Sequence, residues 1–379
     1  MPGRSGHFVT MLICPQCETV YPDGAEQRCP LDGTPLYIIG DDAGARKSLA
    51  AGDMVADKYM LLEEQPRRGG AGRTFLARQV KLDRVVELRL LPENTITRPS
   101  DHARFLREVA TWGRLRSDNL VRLYDSGFAE GNAPYMALEH VTGGSAGDLL
   151  RIHGPLDISL CHKIAKQMLA ALEVAHDANV LHRDVTPDAI VLAERADGRL
   201  HARLTGFGLA KHLGDEADDP TAITMTGQVV GNPAYMAPET ILQGVLDPQT
   251  DLYALGVTLY ELTAGQRPNT GRSLSEMLAA HVRGEMTPLE EARFDVSQDY
   301  RNFVHGLLAR DPANRFQTAS QALDALEGRA ISTTMGIPDF RPLTTKKRRR
   351  LPRWVRTLGR SFVLVGAGAA AALLWKWLR

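Results

Sequence analysis

The sequence predicts an α+β protein of 379 residues, with a small cysteine-containing module before the main domain and an apolar segment after it. Three observations support this prediction. Strand-type patterns and a glycine-rich turn fill the first part of the main domain, and apolar residues at helical spacing dominate its second part. Three of the four cysteines lie between Cys14 and Cys29. An uncharged run follows Arg360 near the C-terminus.

The composition is that of a globular protein with unevenly placed charge. Hydrophobic residues make up 44% of the chain and charged residues 24%, so a full core is available. Basic and acidic residues both number 45, yet residues 341–379 contain eleven Lys or Arg and no Asp or Glu. A mildly acidic body with a basic tail argues against nucleic acid as the main partner and favours a membrane surface at one end.

Residues 1–40 are predicted to form a zinc-ribbon-like module. Cys14-Pro-Gln-Cys17 is a knuckle, and Cys29-Pro-Leu-Asp32 repeats it with an aspartate in place of the fourth cysteine. Three thiolates and one carboxylate make an acceptable zinc site, and its role would be structural because a catalytic zinc keeps a ligand position open. The alternative is a ribbon that has lost its metal and persists as a loop. Residues 41–57 are predicted to be a linker.

The main domain begins with a strand pattern at Tyr59, followed by a glycine-rich turn that contains Gly69 and Gly72. Such glycines allow backbone N–H groups to approach a phosphate, although the turn alone also fits an ordinary hairpin. A second strand pattern, Val86-Glu87-Leu88-Arg89, comes next. A helix predicted from about residue 101 to 116 carries apolar residues at a spacing of three to four, which indicates a core face.

Further motifs follow in order: His182-Arg183-Asp184, then Gly206-Phe207-Gly208, then Ala237-Pro238-Glu239. Their order and spacing resemble the motifs H-R-D, D-F-G and A-P-E of protein kinases, and the chain is identified as a member of the bacterial, Hanks-type serine/threonine kinase family. The resemblance implies a bilobal kinase-like domain over residues 58–328. Its N-lobe would comprise residues 58–140 and its C-lobe residues 141–328.

The resemblance also implies roles for individual residues. Asp184 matches the catalytic base and Arg183 its neighbour. Arg89 replaces the phosphate-binding lysine, and an ion pair with Glu108 on the next helix is expected. The expected nucleotide-binding residues are Gly69, Gly72, Arg89, Glu108, Leu138, Glu139 and Val141. The expected structural residues are His182, Glu239, Asp251 and Arg315, with Asp251 holding the catalytic loop and Arg315 pairing with Glu239.

Three polar side chains of the kinase pattern are absent. Thr186 stands in place of a lysine, Ala189 in place of an asparagine, and Gly206 in place of an aspartate. The last two positions hold magnesium in kinases, so the sequence favours a pseudokinase that scaffolds or senses, with ATP as a ligand and without a complete magnesium site. One alternative is an active kinase with unusual metal ligands, for which Asp188 is the candidate. Another is a zinc-ribbon adaptor that binds protein.

The C-terminal region predicts a membrane anchor. Residues 329–352 form a basic juxtamembrane linker, and residues 353–379 are predicted to be a single transmembrane helix with tryptophans suited to the interface. A peripheral amphipathic helix is less consistent with the run because it has no polar face. The basic flank predicts a bacterial inner-membrane protein with a cytoplasmic kinase-like domain and cytoplasmic signalling partners.

Overall fold

The computed structural model describes residues 11–13, 20–22, 28–31, 33, 37–39, 49–65, 72–91, 99–130, 133–195, 198–207, 232–269, 271, 273–329 and 341–342. The chain divides into two units, residues 1–340 and residues 341–379.

A small antiparallel sheet forms the N-terminal module. Its strands are β1 (Met11–Ile13), β2 (Val20–Pro22) and β3 (Tyr37–Ile39), with β1 in the centre. Met11 pairs with both Pro22 and Ile39. The predicted knuckle of Cys14 and Cys17 falls between β1 and β2 in the sequence and lies outside the described part of the chain.

A six-stranded antiparallel sheet forms the first half of the main domain. Its strands are β4 (Met54–Val55), β5 (Tyr59–Gln65), β6 (Arg73–Gln79), β7 (Arg84–Leu90), β8 (Leu123–Phe128) and β9 (Pro134–Glu139), in the order β4-β5-β6-β7-β9-β8. Strand β4 lies inside the segment 41–57, which the sequence predicts to be a linker, and it pairs with β5. The sheet therefore begins earlier in the chain than this prediction places it.

Strand β7 has one face toward the buried core of the sheet and the other toward the cleft between the strand-rich half and the helical half of the domain. Val86, Leu88 and Leu90 are buried and pack into one hydrophobic cluster with the neighbouring strands. Successive side chains of a strand point to opposite faces, so Glu87 and Arg89 project from the other face. The residues that could meet a ligand are therefore fixed by the alternation of this strand.

Helix α1 (Pro99–Trp112) packs on the same sheet, ending four residues before the predicted boundary. Phe105, Val109 and Trp112 are buried, as their spacing predicts. They join Leu138 of β9 in a cluster that extends into the helical half. The core of the two halves is thus continuous behind the cleft.

The second half is mainly helical. Its elements are α2 (Ala146–His153), α3 (Ile158–Asp177), β10 (Ile190–Glu194), β11 (Leu200–Leu204), α4 (Pro238–Gln243), α5 (Pro248–Ala264), α6 (Leu274–Arg283), β12 (Glu285–Met286), α7 (Leu289–Ala292), α8 (Gln298–Leu307) and α9 (Ala319–Leu326). Short 3₁₀ turns cover Val80–Leu82, Pro187–Ala189, Pro233–Tyr235 and Pro312–Asn314.

Helix α5 is the buried centre of this half. It begins at an N-cap, Asp247, whose side chain accepts from the Thr250 N–H, and it ends at Gly265 with φ of +76°. A Cβ added at Gly256 would lie 2.8 Å from the Leu307 Cβ, so this glycine allows α8 to pack closely against α5. The prediction of a helix that is buried on nearly every side agrees with the structure.

None of the helices in the described ranges is long and apolar enough to cross a membrane. The predicted anchor, residues 353–379, and most of the basic linker, residues 329–352, lie outside those ranges. In the second unit the structure describes only the two-residue strand β13 (Arg341–Pro342).

Candidate functional site

Asp251 of α5 holds the loop formed by residues 182–189 through hydrogen bonds. Its carboxylate accepts hydrogen bonds from the backbone N–H groups of His182 (2.8 Å) and Arg183 (2.7 Å), and His176 Nε2 lies 2.9 Å away. Asp251 is 1% exposed. Burial alone would raise the pKa of this carboxyl, but its hydrogen bonds hold the pKa below the ordinary value. The predicted structural role of Asp251 is present in this geometry.

A column of rings connects this loop to α1. The Phe207 ring lies 4.7 Å from the His182 ring and 5.0 Å from the Trp112 ring, measured between centroids. His182 Nε2 donates to the Thr205 carbonyl at 3.0 Å, and its Nδ1 accepts from the Asp184 N–H at 3.3 Å. These two bonds require a neutral His182 with its proton on Nε2. The backbone of Asp184, the residue that matches the catalytic base, is thereby fixed against the His182 ring.

The positions that would hold magnesium carry no side-chain oxygen. Ala189 ends the 3₁₀ turn and is 7% exposed, and Gly206 has a backbone φ of +83°. Thr186 is also buried. Magnesium requires oxygen ligands in near-octahedral geometry, so the residues present do not fit the metal pair that kinases use.

Asp188, the candidate substitute ligand, is engaged elsewhere. Its Oδ1 accepts from Ser145 Oγ at 3.2 Å and from Arg151 Nη2 at 3.0 Å, both at helix α2. A Cβ on Gly147 would lie 2.2 Å from this oxygen, so the glycine makes room for the contact. These contacts direct Asp188 Oδ1 toward α2, so they give no support to the alternative in which Asp188 serves as a metal ligand.

The expected ion pair between Arg89 and Glu108 does not form. Arg89 Nε donates to Glu87 Oε1 at 2.8 Å, and Arg89 Nη2 donates to the Thr205 hydroxyl at 3.3 Å. Glu87 and Arg89 lie two residues apart on one face of β7, so Glu87 is the nearer carboxylate. Glu108 instead lies 3.7 Å from Arg183 Nη1. The local neighbour on the strand replaces the distant partner on the helix.

Glu108 is poorly satisfied where it lies. Its Oε2 is buried and makes no hydrogen bond within the described part of the chain. Burial raises the pKa of this carboxyl above its ordinary value, and Arg183 opposes the shift. A cavity of about 160 Å³ adjoins it, lined in part by Trp112, Arg183 and Phe207. The cavity lies between α1 and the segment formed by residues 179–183.

The last residue of β9, Glu139, begins the segment predicted to face a nucleotide base and is bound to strand β11. The Glu139 carboxylate accepts from Arg203 Nη1 at 2.7 Å and from Nη2 at 2.8 Å, and Arg203 also donates to the Leu120 carbonyl at 2.8 Å. Burial opposes ionisation, but the Arg203 guanidinium holds the pKa of Glu139 below its ordinary value. Leu138 is fully buried, and Val141 is half-buried.

Two further residues complete the comparison with the predicted nucleotide site. Gly72 has φ of +103°, and a Cβ there would lie 2.2 Å from the Leu90 carbonyl oxygen. The close approach of β7 therefore requires glycine at this position whether or not a phosphate is bound. Gly69 lies outside the described residues.

Sequence reasoning missed Glu87 and Arg203 as residues of the cleft. The signal for Glu87 was available, because the kinase pattern V-A-x-K has alanine where Val86-Glu87-Leu88-Arg89 has a carboxylate. The sequence around Arg203 gave no indication of its pair with Glu139, because this pair depends on how closely β11 approaches the end of β9.

The predicted pair between Glu239 and Arg315 is present. Arg315 Nη1 donates to Glu239 Oε1 at 2.6 Å, and Nη2 donates to Oε2 at 3.1 Å. Arg315 is 1% exposed and also donates to the carbonyls of Ala309 and Gln249. This pair fastens the start of α4 to the turn before α9.

The predicted zinc site is described only at Cys29. Its thiol is buried and lies 3.2 Å from the Tyr21 hydroxyl. Cys14, Cys17 and Asp32 lie outside the described residues. Among the residues that the structure does describe, no group of three or more metal-ligating side chains converges. Zinc binding remains a prediction.

Comparison with known proteins supports the kinase resemblance over most of the chain. The family model for the protein kinase domain matches residues 67–326. The chain is 35% identical over 281 residues to serine/threonine-protein kinase pkn3 of Myxococcus xanthus, covering 72% of this chain and 51% of that protein. It is 31% identical over 256 residues to PknB of Mycobacterium leprae, covering 67% of this chain and 40% of that protein. The chain thus spans about half or less of these two relatives.

Solved structures agree with the fold. The kinase domain of PknI from Mycobacterium tuberculosis aligns with a TM-score of 0.57 at 25% identity, covering 75% of this chain and all of that one. A Rad53 fragment in complex with AMP-PNP aligns with a TM-score of 0.59 at 22% identity, covering 81% of this chain and 76% of that one. The strand-rich half and the helical half are the two lobes of a protein kinase. The chain therefore belongs to the bacterial, Hanks-type serine/threonine protein kinase family.

Proposed function

We propose that this chain is a kinase-fold module with severely impaired phosphoryl transfer, which works by binding, as a scaffold or as a nucleotide-responsive signalling module. One observation carries the proposal. Ala189 and Gly206 offer no side-chain oxygen to a metal, and the neighbouring Asp188 carboxylate is engaged by Ser145 and Arg151. Phosphoryl transfer depends on positioning and on charge neutralisation by metal ions, so this cleft lacks the groups that hold the metal.

A second candidate, an active kinase with a non-standard metal site, is favoured by a different observation. Asp184 is retained, and the loop that carries it is fastened to Asp251 through the N–H groups of His182 and Arg183. This architecture would serve catalysis and stability alike. A measurement of phosphoryl transfer is therefore needed to distinguish the active kinase from the impaired one.

The test is transfer of the labelled γ-phosphoryl group of ATP by the full-length chain in mild detergent, with Mg²⁺ and with Mn²⁺. Transfer to the chain itself and to a generic protein substrate is measured for wild type and for Asp184→Ala. Asp299→Ala, an exposed aspartate at the start of α8, is the matched control. The proposal expects no transfer that depends on Asp184. Transfer that disappears in Asp184→Ala and persists in Asp299→Ala would establish the active kinase instead.

We also propose that zinc is held by Cys14, Cys17, Cys29 and Asp32, with a structural role. Strand β1 ends directly before Cys14, which suits a knuckle on a turn, and the Cys29 thiol is buried. Metal analysis should find about one zinc per chain in wild type, and Cys29→Ser should lose this zinc. Deletion of residues 1–40 tests the adaptor alternative, which predicts that partner binding disappears with this segment.

Residues 353–379 are proposed to anchor the chain in the bacterial inner membrane, with the kinase domain in the cytoplasm and a cytoplasmic signalling protein as partner. The uncharged run and its basic N-terminal flank support this placement. Fractionation of cells that produce the full chain, with and without residues 353–379, tests it. The full chain should sediment with membranes and resist extraction by high salt, whereas the truncated chain should not.

A further inference from the structure

We propose that the guanidinium of Arg89 takes the place of the divalent metal ion in this cleft, so that the cleft binds a polyphosphate ligand without metal. The ligand class is an anion with adjacent phosphate groups, such as a nucleoside diphosphate or triphosphate. The inference rests on the proposed loss of the metal site. It goes further by naming the group that supplies the positive charge and by stating the metal dependence of binding.

The position of Arg89 relative to Gly206 is the first step of the argument. A Cβ added at Gly206 would lie 3.1 Å from Arg89 Nη1. The guanidinium therefore occupies the space into which a carboxylate at position 206 would project. Arg89 Nη2 also donates to the Thr205 hydroxyl at 3.3 Å, which fixes the guanidinium beside this backbone. A positive charge thus lies where the kinase pattern has a metal ligand.

The chemistry of the group is the second step. A guanidinium is charged at every physiological pH, and its planar fork matches phosphate oxygens. It is joined to the chain, so it needs no oxygen ligands from Ala189 or Gly206. The Arg89 side chain is 14% exposed, and salt screens such a charge less than a surface charge. The exchange of lysine for arginine and the loss of both metal ligands are then parts of one arrangement.

Glu87 is the positioning residue for this cation. Its Oε1 accepts from Arg89 Nε at 2.8 Å, which orients the guanidinium through its inner nitrogen. Of the outer nitrogens, Nη2 is shared with Thr205 and Nη1 faces Gly206. Glu87 also carries a negative charge that competes with phosphate for Arg89. Glu87→Gln keeps an acceptor and removes that charge, so it should tighten binding of a polyphosphate.

The experiment measures binding of a fluorescent N-methylanthraniloyl ATP to the full-length chain in mild detergent, in excess EDTA and in excess Mg²⁺. The wild-type Kd in EDTA should lie within about twofold of the Kd in Mg²⁺. Arg89→Met should weaken binding at least about tenfold in both conditions, because a charge-assisted contact to phosphate is lost. Arg78→Met is the matched control, since Arg78 lies on β6 and pairs with the exposed Asp83.

Two variants guard against a trivial loss of folding. Arg89→Lys keeps the charge without the planar fork and should weaken binding in EDTA, and its thermal unfolding should match that of wild type. Arg89→Lys combined with Gly206→Asp removes the planar fork and returns one metal ligand, so its binding should become tighter in Mg²⁺ than in EDTA.

Several results would overturn the inference. They are wild-type binding that requires Mg²⁺, unchanged binding in Arg89→Met, and no binding of the nucleotide by wild type in either condition. Each of these results comes from the binding experiment and does not change the outcome of the phosphoryl-transfer experiment. The inference can therefore fail while the proposed impairment of phosphoryl transfer stands.

Discussion

Restoring phosphoryl transfer should require three substitutions rather than two. The motifs alone suggest Gly206→Asp with Ala189→Asn, which return the two oxygen ligands of the kinase pattern. The structure adds Arg89 to the problem, because its Nη1 lies 3.1 Å from the position of a Cβ at residue 206. A carboxylate introduced there would pair with the guanidinium before it could bind a metal. Arg89→Lys is the third substitution, because it returns the residue of the kinase pattern and its compact ammonium on a flexible stem can move away from position 206.

The size of the effect follows from that separation. Two unit charges about 4 Å apart attract by roughly 4 kcal/mol at an effective dielectric constant of about 20. A metal that must break this pair loses up to roughly three powers of ten in affinity. The φ of +83° at Gly206 is a smaller obstacle, since aspartate is among the few residues that visit this region. The contact with Arg89 therefore decides the outcome.

The assay compares transfer of the labelled γ-phosphoryl group of ATP by the two-substitution and the three-substitution variants in Mg²⁺. The three-substitution variant should be at least about 100-fold faster, which is the lower end of what one lost electrostatic contact costs an enzyme. Adding Asp184→Asn to the faster variant should abolish the gain. Equal rates in the two variants would refute the reasoning, because Arg89 would then not obstruct position 206.

Two further predictions concern the stability of the frame. Arg315→Met should lower the free energy of unfolding by about 3–5 kcal/mol in urea titrations, because Glu239 would stay buried without its cation. Glu108→Gln should raise the free energy of unfolding near neutral pH and lose this advantage below pH 4.5. Burial raises the pKa of Glu108 above its ordinary 4.5, so the wild-type chain loses stability as the pH rises through this range.

Both predictions have direct controls. Arg310→Met changes an exposed arginine close to Arg315 and should leave stability nearly unchanged. An effect of Arg315→Met as small as that of the control would contradict the assigned role of the buried pair. For Glu108→Gln, the same advantage at pH 4 and at pH 7 would show that the gain does not come from the charge.

The frame of this protein could be predicted from sequence because it depends on spacing and burial. The pair between Glu239 and Arg315 and the anchoring of the 182–189 loop by Asp251 both follow from motifs whose order survives along the chain. Helix α5 could be predicted because its apolar residues leave no polar face. These contacts could be predicted without knowledge of the surrounding side chains, because each partner is buried and has few alternative partners.

The cleft could be predicted only in part, because its contacts are decided by competition between nearby groups. Arg89 binds Glu87, its neighbour on the same strand face, and not the Glu108 expected from the kinase pattern. Asp188 is drawn to α2 because Gly147 leaves space for its oxygen. Neither outcome follows from a motif, which records residue types and leaves out the distances between side chains.

The presence of Asp251 in a chain with Ala189 and Gly206 at the positions of the kinase metal ligands has a physical explanation, which gives the last prediction. Arg183 has a backbone φ of +64°, a conformation that costs a non-glycine residue about 1–2 kcal/mol, and the Asp251 carboxylate holds it there through a 2.7 Å bond. Asp251→Asn leaves one acceptor oxygen and turns an N–H group toward another donor. It should therefore lower the free energy of unfolding by about 2–3 kcal/mol at pH 7.

The pH dependence distinguishes this role from simple loss of packing. Burial alone would raise the pKa of Asp251, but hydrogen bonds from His176 and His182 lower it below 3.8. The stability that this carboxylate contributes is thus complete above pH 3.8 and is lost as the pH falls through the folded-state pKa. The difference between wild type and Asp251→Asn in urea titrations should shrink in that acid range. A constant difference would mean that the charge on Asp251 does not hold the loop.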